Sequence, residues 1–299
     1  MVGLGKTGAE EKRKNVTLKS AVTSIGDFLN QVRLRQKALL RRAKKDTELE
    51  VENKPTSRWF FRGQGNESWN LLPSLFRVVK SIPSALVNVN GLKCTLLDEE
   101  QFLIQDFERY EPGLFTQCAN DIERMAVAQH YGIPTRLLDV SENALVALHF
   151  AITGEGCKMK DGKVFIFRAS PDQYKLASTG GRVGICIQNY HKRTVNLLGN
   201  KPLLVFPPMM TSRQKVQSGS FFLFENEGNG CVRTFEDTDY ETIVIPARYK
   251  KKLRKEFEEV CGVSFCTLFP DCFDYYKTRL MQDASKRVCA NFPGLRGNV

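Results

Sequence analysis

The segment from Ala128 to Ala151, AQHYGIPTRLLDVSENALVALHFA, places a cluster of polar residues between two apolar runs. These polar residues are Gln129, His130, Thr135, Arg136, Asp139, Ser141 and Asn143. Burying a polar group without a hydrogen-bond partner costs roughly 1–3 kcal/mol, so we expect these side chains to bind one another or to line a cleft. The run after Asn143 is apolar on every side of a helix except at His149, which predicts a buried helix. A polar turn supported by a buried helix is a rigid platform for a functional site.

A second informative segment, SRWFFRGQGNESWNLLPSLFR, occupies residues 57–77. Its aromatic residues favour a β-strand, and Gly63 and Gly65 are expected to end that strand. Arg62 and Gln64 would then lie at the end of the strand, where glycine leaves room for a ligand to approach the backbone. Both side chains are therefore candidate ligand-binding groups.

Arg62 is suited to hold a phosphate or a carboxylate, because a guanidinium group donates two parallel hydrogen bonds to either anion. The alternative is a structural ion pair with Asp139 or Glu123. Asp139 is in turn expected to pair with Arg62 or Arg136, so that its loss would strand a buried cation at a cost of roughly 3–5 kcal/mol.

Glu123 and His130 are also open to two interpretations. They lie seven residues apart on a predicted helix and therefore share one of its faces. The pair could act as a catalytic base and the carboxylate that orients it, or it could form a buried structural hydrogen bond.

Together the two segments resemble the FRG domain family, through FRGQ at residues 61–64 and QHYGIPTRLLD at residues 129–139. A third match, TLFPD at residues 267–271, extends the resemblance over about residues 57–271.

The stretch DVSENALVALHFAITG followed by GKVFIFRAS also resembles the middle of the arginine-serine-glutamate class of ADP-ribosyltransferases. This resemblance implies that Arg62 holds NAD, that Asp139 to Ser141 support the nicotinamide ribose, and that Ala147 and Phe150 occupy the positions of the following helix. It also implies a glutamate on a late strand, which stabilises an oxocarbenium-like transition state. Gln217 and Glu241 are the two candidates for that position. A glutamine there would lack the charge that polarises the ribose, so the protein would only bind its ligand or would catalyse a different reaction.

The net charge of +11 is concentrated in two basic runs. The first is expected on a helix that starts near Asp27 and contains Arg33, Arg35, Lys37, Arg41, Arg42, Lys44 and Lys45. The second follows Pro246 and contains Arg248, Lys250, Lys251, Lys252, Arg254 and Lys255. Such helices attract polyanions, including nucleic acid; the alternative is a solvated basic face. The strand phenylalanines are expected in the core, so the nucleic-acid hypothesis depends on charge alone.

The order of the predicted elements is helix, strand, helices, strands, helix, which favours an α+β domain with a central sheet flanked by helices. Helices are predicted at residues 96–110 and 121–130, and strands at 162–170, 202–206, 218–224 and 242–245, with an irregular exposed stretch at 170–200. The domain boundaries that we expect are a disordered tail at 1–23, a basic helical extension at 24–54, an FRG-like domain at 55–281 and a tail at 282–299.

Several classes of protein are disfavoured by the composition. The nine cysteines include no CxxC pair and the three histidines are dispersed, so no metal site or disulfide framework is expected. No run approaches 18 apolar residues, and we expect a cytoplasmic protein with no membrane partner. The leading hypothesis is a nucleotide-directed enzyme, ADP-ribosyltransferase-like or NAD-consuming, with its site between Arg62, the 129–141 turn and the Gln217 strand. The alternatives are a module that binds nucleic acid without catalysis and a protein-interaction domain, and the oligomeric state is left open.

Overall fold

A six-stranded antiparallel sheet organises the part of the chain that the computed structural model describes. The described residues are 21–45, 58–78, 87–89, 92–94, 96–154, 156–169, 201–224, 234–261 and 265–270. The fold is α+β, as the order of the predicted elements indicated. The irregular stretch predicted at 170–200 and the tail at 282–299 lie outside the described residues, as does most of the predicted tail at 1–23.

The strands of this sheet follow the order β6-β7-β4-β1-β5-β8. They are β1 (Arg58–Gln64), β4 (Leu137–Ser141), β5 (Gly162–Ala169), β6 (Leu203–Val205), β7 (Gly219–Leu223) and β8 (Tyr240–Ile245). A separate hairpin is formed by β2 (Val87–Val89) and β3 (Leu92–Cys94). The helices are α1 (Ile25–Lys45), α2 (Ser74–Val78), α3 (Leu96–Tyr110), α4 (Asp121–His130), α5 (Ala144–Thr153), α6 (Ser212–Val216), α7 (Ala247–Cys261) and α8 (Phe265–Leu268).

Local sequence signals account for the helix starts. The side chain of Asn120 accepts a hydrogen bond from the backbone of Glu123, and that of Asn143 accepts one from Leu145, so an asparagine caps both α4 and α5. The start of α1 was predicted near Asp27 but lies at Ile25, because Ser24 supplies the cap: its hydroxyl accepts from the Asp27 backbone amide at 3.1 Å.

The two faces of the sheet are packed differently. One face carries a continuous aromatic cluster that includes Phe60, Phe167 and Phe222. On the other face the core has two parts: α3 and α4 cover β4, β6 and β7, whereas α1, α5 and α7 cover β1, β5 and β8. The strand phenylalanines predicted in the core, Phe60, Phe61, Phe221, Phe222 and Phe224, are all buried.

The boundary between these two parts runs between β1 and β4, where the sheet is weakly joined. β1 pairs with β5 along all of its residues, from Arg58 to Gln64, but its ladder with β4 consists of the single pair Phe61 and Ser141. Beyond that pair the two strands separate, and the candidate site lies at this opening. No helix among the described ranges is long and apolar enough to cross a membrane.

Candidate functional site

A cavity of about 250 Å³ lies where β1 and β4 separate, between the two helical parts of the core. Its lining residues come from β1, α4, β4, α5, α6 and β7. The residues that line it include Arg62, Gly63, Gln129, His130, Asp139, Ser141, Ala147, Phe150, Arg213, Gln217 and Ser220. Polar residues from both distinctive sequence segments therefore meet in one cavity, although 77 positions separate Arg62 from Asp139.

Arg62 is the central cation of this site, and its side chain is only 14% exposed. Its Nη1 donates to the backbone carbonyl of Asp139 at 2.7 Å and lies 3.8 Å from a carboxylate oxygen of the same residue. Nε has no hydrogen-bond partner among the described residues. Burial lowers the pKa of Arg62 to about 10, opposed by the charge of Asp139 and assisted by that of Arg77. The guanidinium is thus protonated at neutral pH, but its charge and its hydrogen-bond donors are only partly matched by Asp139.

The backbone around Arg62 is fixed by two close contacts. A Cβ atom on Gly63 would lie 1.8 Å from the carbonyl oxygen of Ala147, so β1 and α5 touch backbone to backbone. The carbonyl oxygen of Gly65 accepts from the ammonium of Lys250 at 2.6 Å, and that of Cys157 accepts from the same ammonium at 3.0 Å. Lys250 is 2% exposed, and this burial lowers its pKa.

Gln64 lies close to Arg62 in sequence but not in the cavity. Its side chain is buried, and its Nε2 donates to the carbonyl oxygen of Asn70 at 3.3 Å. The side chain therefore supports the loop after β1, and Gln64 lines neither of the two cavities described here.

The hydroxyl group of Ser141 positions two segments of the chain. It donates to the carbonyl oxygen of Gln217 at 2.6 Å and accepts from the Asn143 backbone amide at 3.0 Å. The side-chain amide of Gln217 donates to the carbonyl oxygen of Leu268 at 3.0 Å. Ser141 and Gln217 line the cavity and are therefore connected to the start of the TLFPD segment behind it.

The next residue of that segment, Phe269, packs behind two residues that line the cavity. The ring of Phe269 packs edge to face against Phe150 at 6.0 Å between centroids, and the guanidinium of Arg213 lies 4.3 Å from its centroid. Asp271, the last residue of the motif, lies outside the described residues.

Gln129 contributes its amide to the wall of the cavity. Its Oε1 accepts a hydrogen bond from the hydroxyl of Thr135, which in turn accepts from the backbone amide of Leu137 at 3.2 Å. These bonds orient the Gln129 side chain. They also confirm that polar residues of this turn bind one another, as the sequence predicted.

Arg136 does not join the other polar residues of the turn. It forms a buried ion pair with Glu100 of α3, with 3.1 Å between Nε and Oε2, and its backbone amide donates to the other carboxylate oxygen at 2.8 Å. Burial raises the pKa of Glu100, and Arg136 opposes that shift. The expected convergence of Arg136 with Arg62 and Asp139 is therefore wrong, because a carboxylate 36 residues upstream binds it.

Glu123 and His130 share a helix but do not form the pair that was considered. The Glu123 carboxylate accepts from the backbone amide of Ala119 at 2.6 Å and from the side-chain amide of Asn120 at 2.8 Å, so it serves the start of α4. His130, at the other end of α4, lines the cavity and packs edge to face with Tyr131.

Glu241 lies away from the cavity, on the strand at the opposite edge of the sheet from β6. Its carboxylate forms ion pairs with Arg35, at 3.3 Å, and with Arg42 of α1. Alternation along β8 directs it toward the helix that carries the first basic run, so it holds α1 to the sheet. Of the two candidates for the late-strand position, only Gln217 lines the cavity.

Two features of this region were not predicted. Arg77, at the end of α2, lines a smaller cavity of about 180 Å³ together with Arg62 and Asp139. Lys250 was predicted on a basic surface but is buried. Its spacing with Leu253 and Phe257 places all three on one face of α7, which is the signal that identifies it as a core position.

Within the described ranges, no group of three or more His, Cys, Asp or Glu side chains is arranged to hold a metal ion.

A sheet that opens around a buried arginine, with a polar cavity in the opening, defines an α+β domain built to surround a small site. Residues 57–159 match the family model of the FRG domain, and the chain therefore contains an FRG domain. The matched segment supplies β1, α4, β4 and α5, and with them Arg62, Gln129, Asp139 and Ser141. The TLFPD segment and Gln217 lie beyond it. No curated protein and no solved structure matches the chain.

Proposed function

We propose that the cavity of the FRG domain binds a phosphate-bearing nucleotide, with NAD as the first candidate, and that Arg62 is its phosphate ligand. The observation that carries this proposal is the state of Arg62: a buried guanidinium, still protonated, with Nε lacking a partner among the described residues. A buried charge is costly unless it is paired and hydrogen-bonded. A phosphate group would supply both the charge and the acceptors.

The neighbouring polar groups have distinct proposed roles. Asp139 is 65% exposed and lies beside Arg62, so its carboxylate is available to a ribose hydroxyl. Gln129 presents an oriented amide. Ser141 acts indirectly, because its hydroxyl holds Gln217 and the start of α5.

The proposed reaction is cleavage of NAD at the nicotinamide ribose. The bond between ribose C1′ and the nicotinamide nitrogen breaks, the electron pair leaves with nicotinamide, and water or an acceptor group adds to C1′ and loses a proton. Positive charge develops on the ribose during this step, and a nearby carboxylate stabilises it. Asp139 is the carboxylate residue among the described residues that line the cavity, so we assign the role to Asp139 rather than to Glu241.

Binding is tested first, by thermal unfolding of the full chain with and without NAD. At 100 times its dissociation constant, a ligand that binds only the folded state stabilises it by ~2.7 kcal/mol. Arg62→Gln should abolish this stabilisation. Arg109→Gln is the matched control, because Arg109 is 74% exposed and lies outside the cavity lining. A protein that no nucleotide stabilises would refute the proposal.

Catalysis is tested separately by following the release of nicotinamide. Asp139→Asn should retain NAD binding and lose nicotinamide release, since the amide keeps the shape but not the charge. Binding without nicotinamide release in the unsubstituted protein would reduce the function to a nucleotide-binding module.

A second candidate function, binding of nucleic acid, is favoured by the packing of the basic helices. α1 and α7 contribute to the same core cluster on one face of the sheet. Exposed basic residues follow helical spacing on both helices: Arg33, Lys37 and Arg41 on α1, and Arg248, Lys251, Lys252 and Lys255 on α7. Arg42 of α1 is also exposed but is paired with Glu241. Binding of duplex DNA should weaken steeply between 50 and 200 mM salt, and Arg41→Gln with Lys251→Gln should reduce that slope. Affinity that is independent of salt would exclude this function.

A further inference from the structure

The smaller cavity adjoins the larger one and shares part of its wall. Arg62, Gln129 and Asp139 line both cavities. The smaller cavity adds Ser74 and Arg77 of α2, neither of which the sequence resemblances assign to a ligand. A group bound at Arg62 is therefore next to a second space with its own cation.

The charges at this junction do not balance. Arg62, Arg77 and Asp139 all line the smaller cavity, so one carboxylate lies near two guanidinium groups. Burial lowers the pKa of both arginines, and the charge of Asp139 opposes that shift in each. Two cations that line one small cavity repel each other unless an anion lies between them. Asp139 is itself 65% exposed and screened by solvent, so a net positive charge remains at the junction of the two cavities.

Arg77 is presented on a fixed element. The hydroxyl of Ser74 accepts from the backbone amide of Thr135 at 3.2 Å, and the backbone amide of Leu75 donates to the carbonyl oxygen of Thr135 at 3.2 Å. Leu75 is fully buried and Phe76 is 7% exposed. The helix that carries Arg77 is thus attached to the same turn that orients Gln129. The backbone of Arg77 is therefore held in place beside the smaller cavity, and its side chain is exposed to an incoming ligand.

The size of the larger cavity adds a second argument. Ligand pockets generally enclose about 300–1,000 Å³, whereas this cavity encloses about 250 Å³. A whole nucleotide bound with its phosphate at Arg62 must therefore extend beyond it, and the adjoining cavity of about 180 Å³ offers that space.

From this arrangement we infer that the ligand carries a diphosphate rather than a single phosphate, with one phosphate group on Arg62 and the other on Arg77 in the smaller cavity. This inference rests on the proposed nucleotide-binding function and specifies its substrate class. Guanidinium groups suit this task because each donates paired hydrogen bonds to phosphate oxygens.

The test measures the affinity of the full chain for AMP, ADP and ADP-ribose by titration calorimetry. ADP and ADP-ribose should each bind at least about tenfold more tightly than AMP, equivalent to about 1.4 kcal/mol. Arg77→Gln should remove this preference while changing the affinity for AMP by less than about twofold. Arg77→Lys, which keeps the charge but not the paired donors, should retain part of the preference. Arg109→Gln is the control and should leave all three affinities unchanged.

The outcomes separate this inference from the function on which it rests. Equal affinities for AMP and ADP, or a preference for ADP that survives Arg77→Gln, would overturn the diphosphate assignment and leave nucleotide binding intact. If none of the three ligands nor NAD binds, the proposed function and the inference both fail.

Discussion

Replacing Lys250 with methionine is expected to destabilise the fold by about 2–4 kcal/mol, although the residue belongs to a basic run. Methionine keeps most of the buried side-chain volume and removes the ammonium. The carbonyl oxygen of Gly65 then loses its donor at 2.6 Å, and an unsatisfied buried acceptor costs roughly 1–3 kcal/mol. The carbonyl oxygen of Cys157 keeps the Lys160 amide at 3.1 Å and loses only the ammonium at 3.0 Å, which is worth roughly 0.5–1.5 kcal/mol.

The assay is urea-induced unfolding of the full chain, followed by intrinsic fluorescence, with Lys251→Met as the matched control. Lys251 is the next residue on α7 and is exposed, so its substitution should change the free energy of unfolding by no more than about 0.5 kcal/mol. A Lys250→Met protein as stable as the control would show that the ammonium does not support the Gly65 carbonyl, and the reasoning about how β1 is held at the cavity would be wrong.

Three further predictions concern the site and its supports. Gly63→Ala should destabilise the fold by about 3 kcal/mol or more in the same assay, because its Cβ would lie 1.8 Å from backbone of α5; Gly113→Ala, where a Cβ meets nothing within 4 Å, should be nearly neutral. Asp139→Ala should cost less than about 1 kcal/mol rather than the 3–5 kcal/mol expected for a stranded cation, because its carboxylate is 65% exposed and the backbone bond to Arg62 remains; a loss above 3 kcal/mol would restore the original expectation. Burial lowers the pKa of His149 to about 4 from its ordinary 6.5. As the pH falls, His149 is therefore protonated in the unfolded chain before it is protonated in the folded protein, and stability is lost between about pH 6.5 and pH 4. His149→Leu should reduce that loss of stability across the same pH range. If the free energy of unfolding of the variant depends on pH as in the unsubstituted protein, His149 is not the residue that causes the loss.

The parts of the fold that depend on neighbouring residues could be predicted from the sequence. α3 and α4 have the predicted bounds, and α5 follows its asparagine cap, because apolar periodicity and capping act within a few positions. The contact between the FRGQ segment and the polar turn, made by Arg62 and Asp139, was also predictable, because polar groups in an apolar sequence need hydrogen-bond partners.

The partners themselves could not be assigned, because they are chosen by contacts between distant segments. Arg136 had a plausible carboxylate three residues away and instead binds Glu100, which lies on a helix packed across the same core cluster. Glu241 looked suitable for chemistry until the position of α1 was known, since Arg35 and Arg42 reach it across about 200 positions. The chain topology determines which partners Arg136 and Glu241 bind, and local sequence periodicity does not predict that topology.

The opening between β1 and β4 also bears on how much of the chain makes a folding unit. The segment that matches the FRG family model, residues 57–159, contains only these two strands of the large sheet, and a single residue pair joins them. β5, which pairs with β1 along its whole length, begins just after the segment ends. Excised alone, the segment would present both strands as unpaired edges prone to aggregation. We therefore expect an autonomous folding unit to need β5 and β7, the ladder partners of β1 and β4, which lie past the limits drawn by sequence similarity.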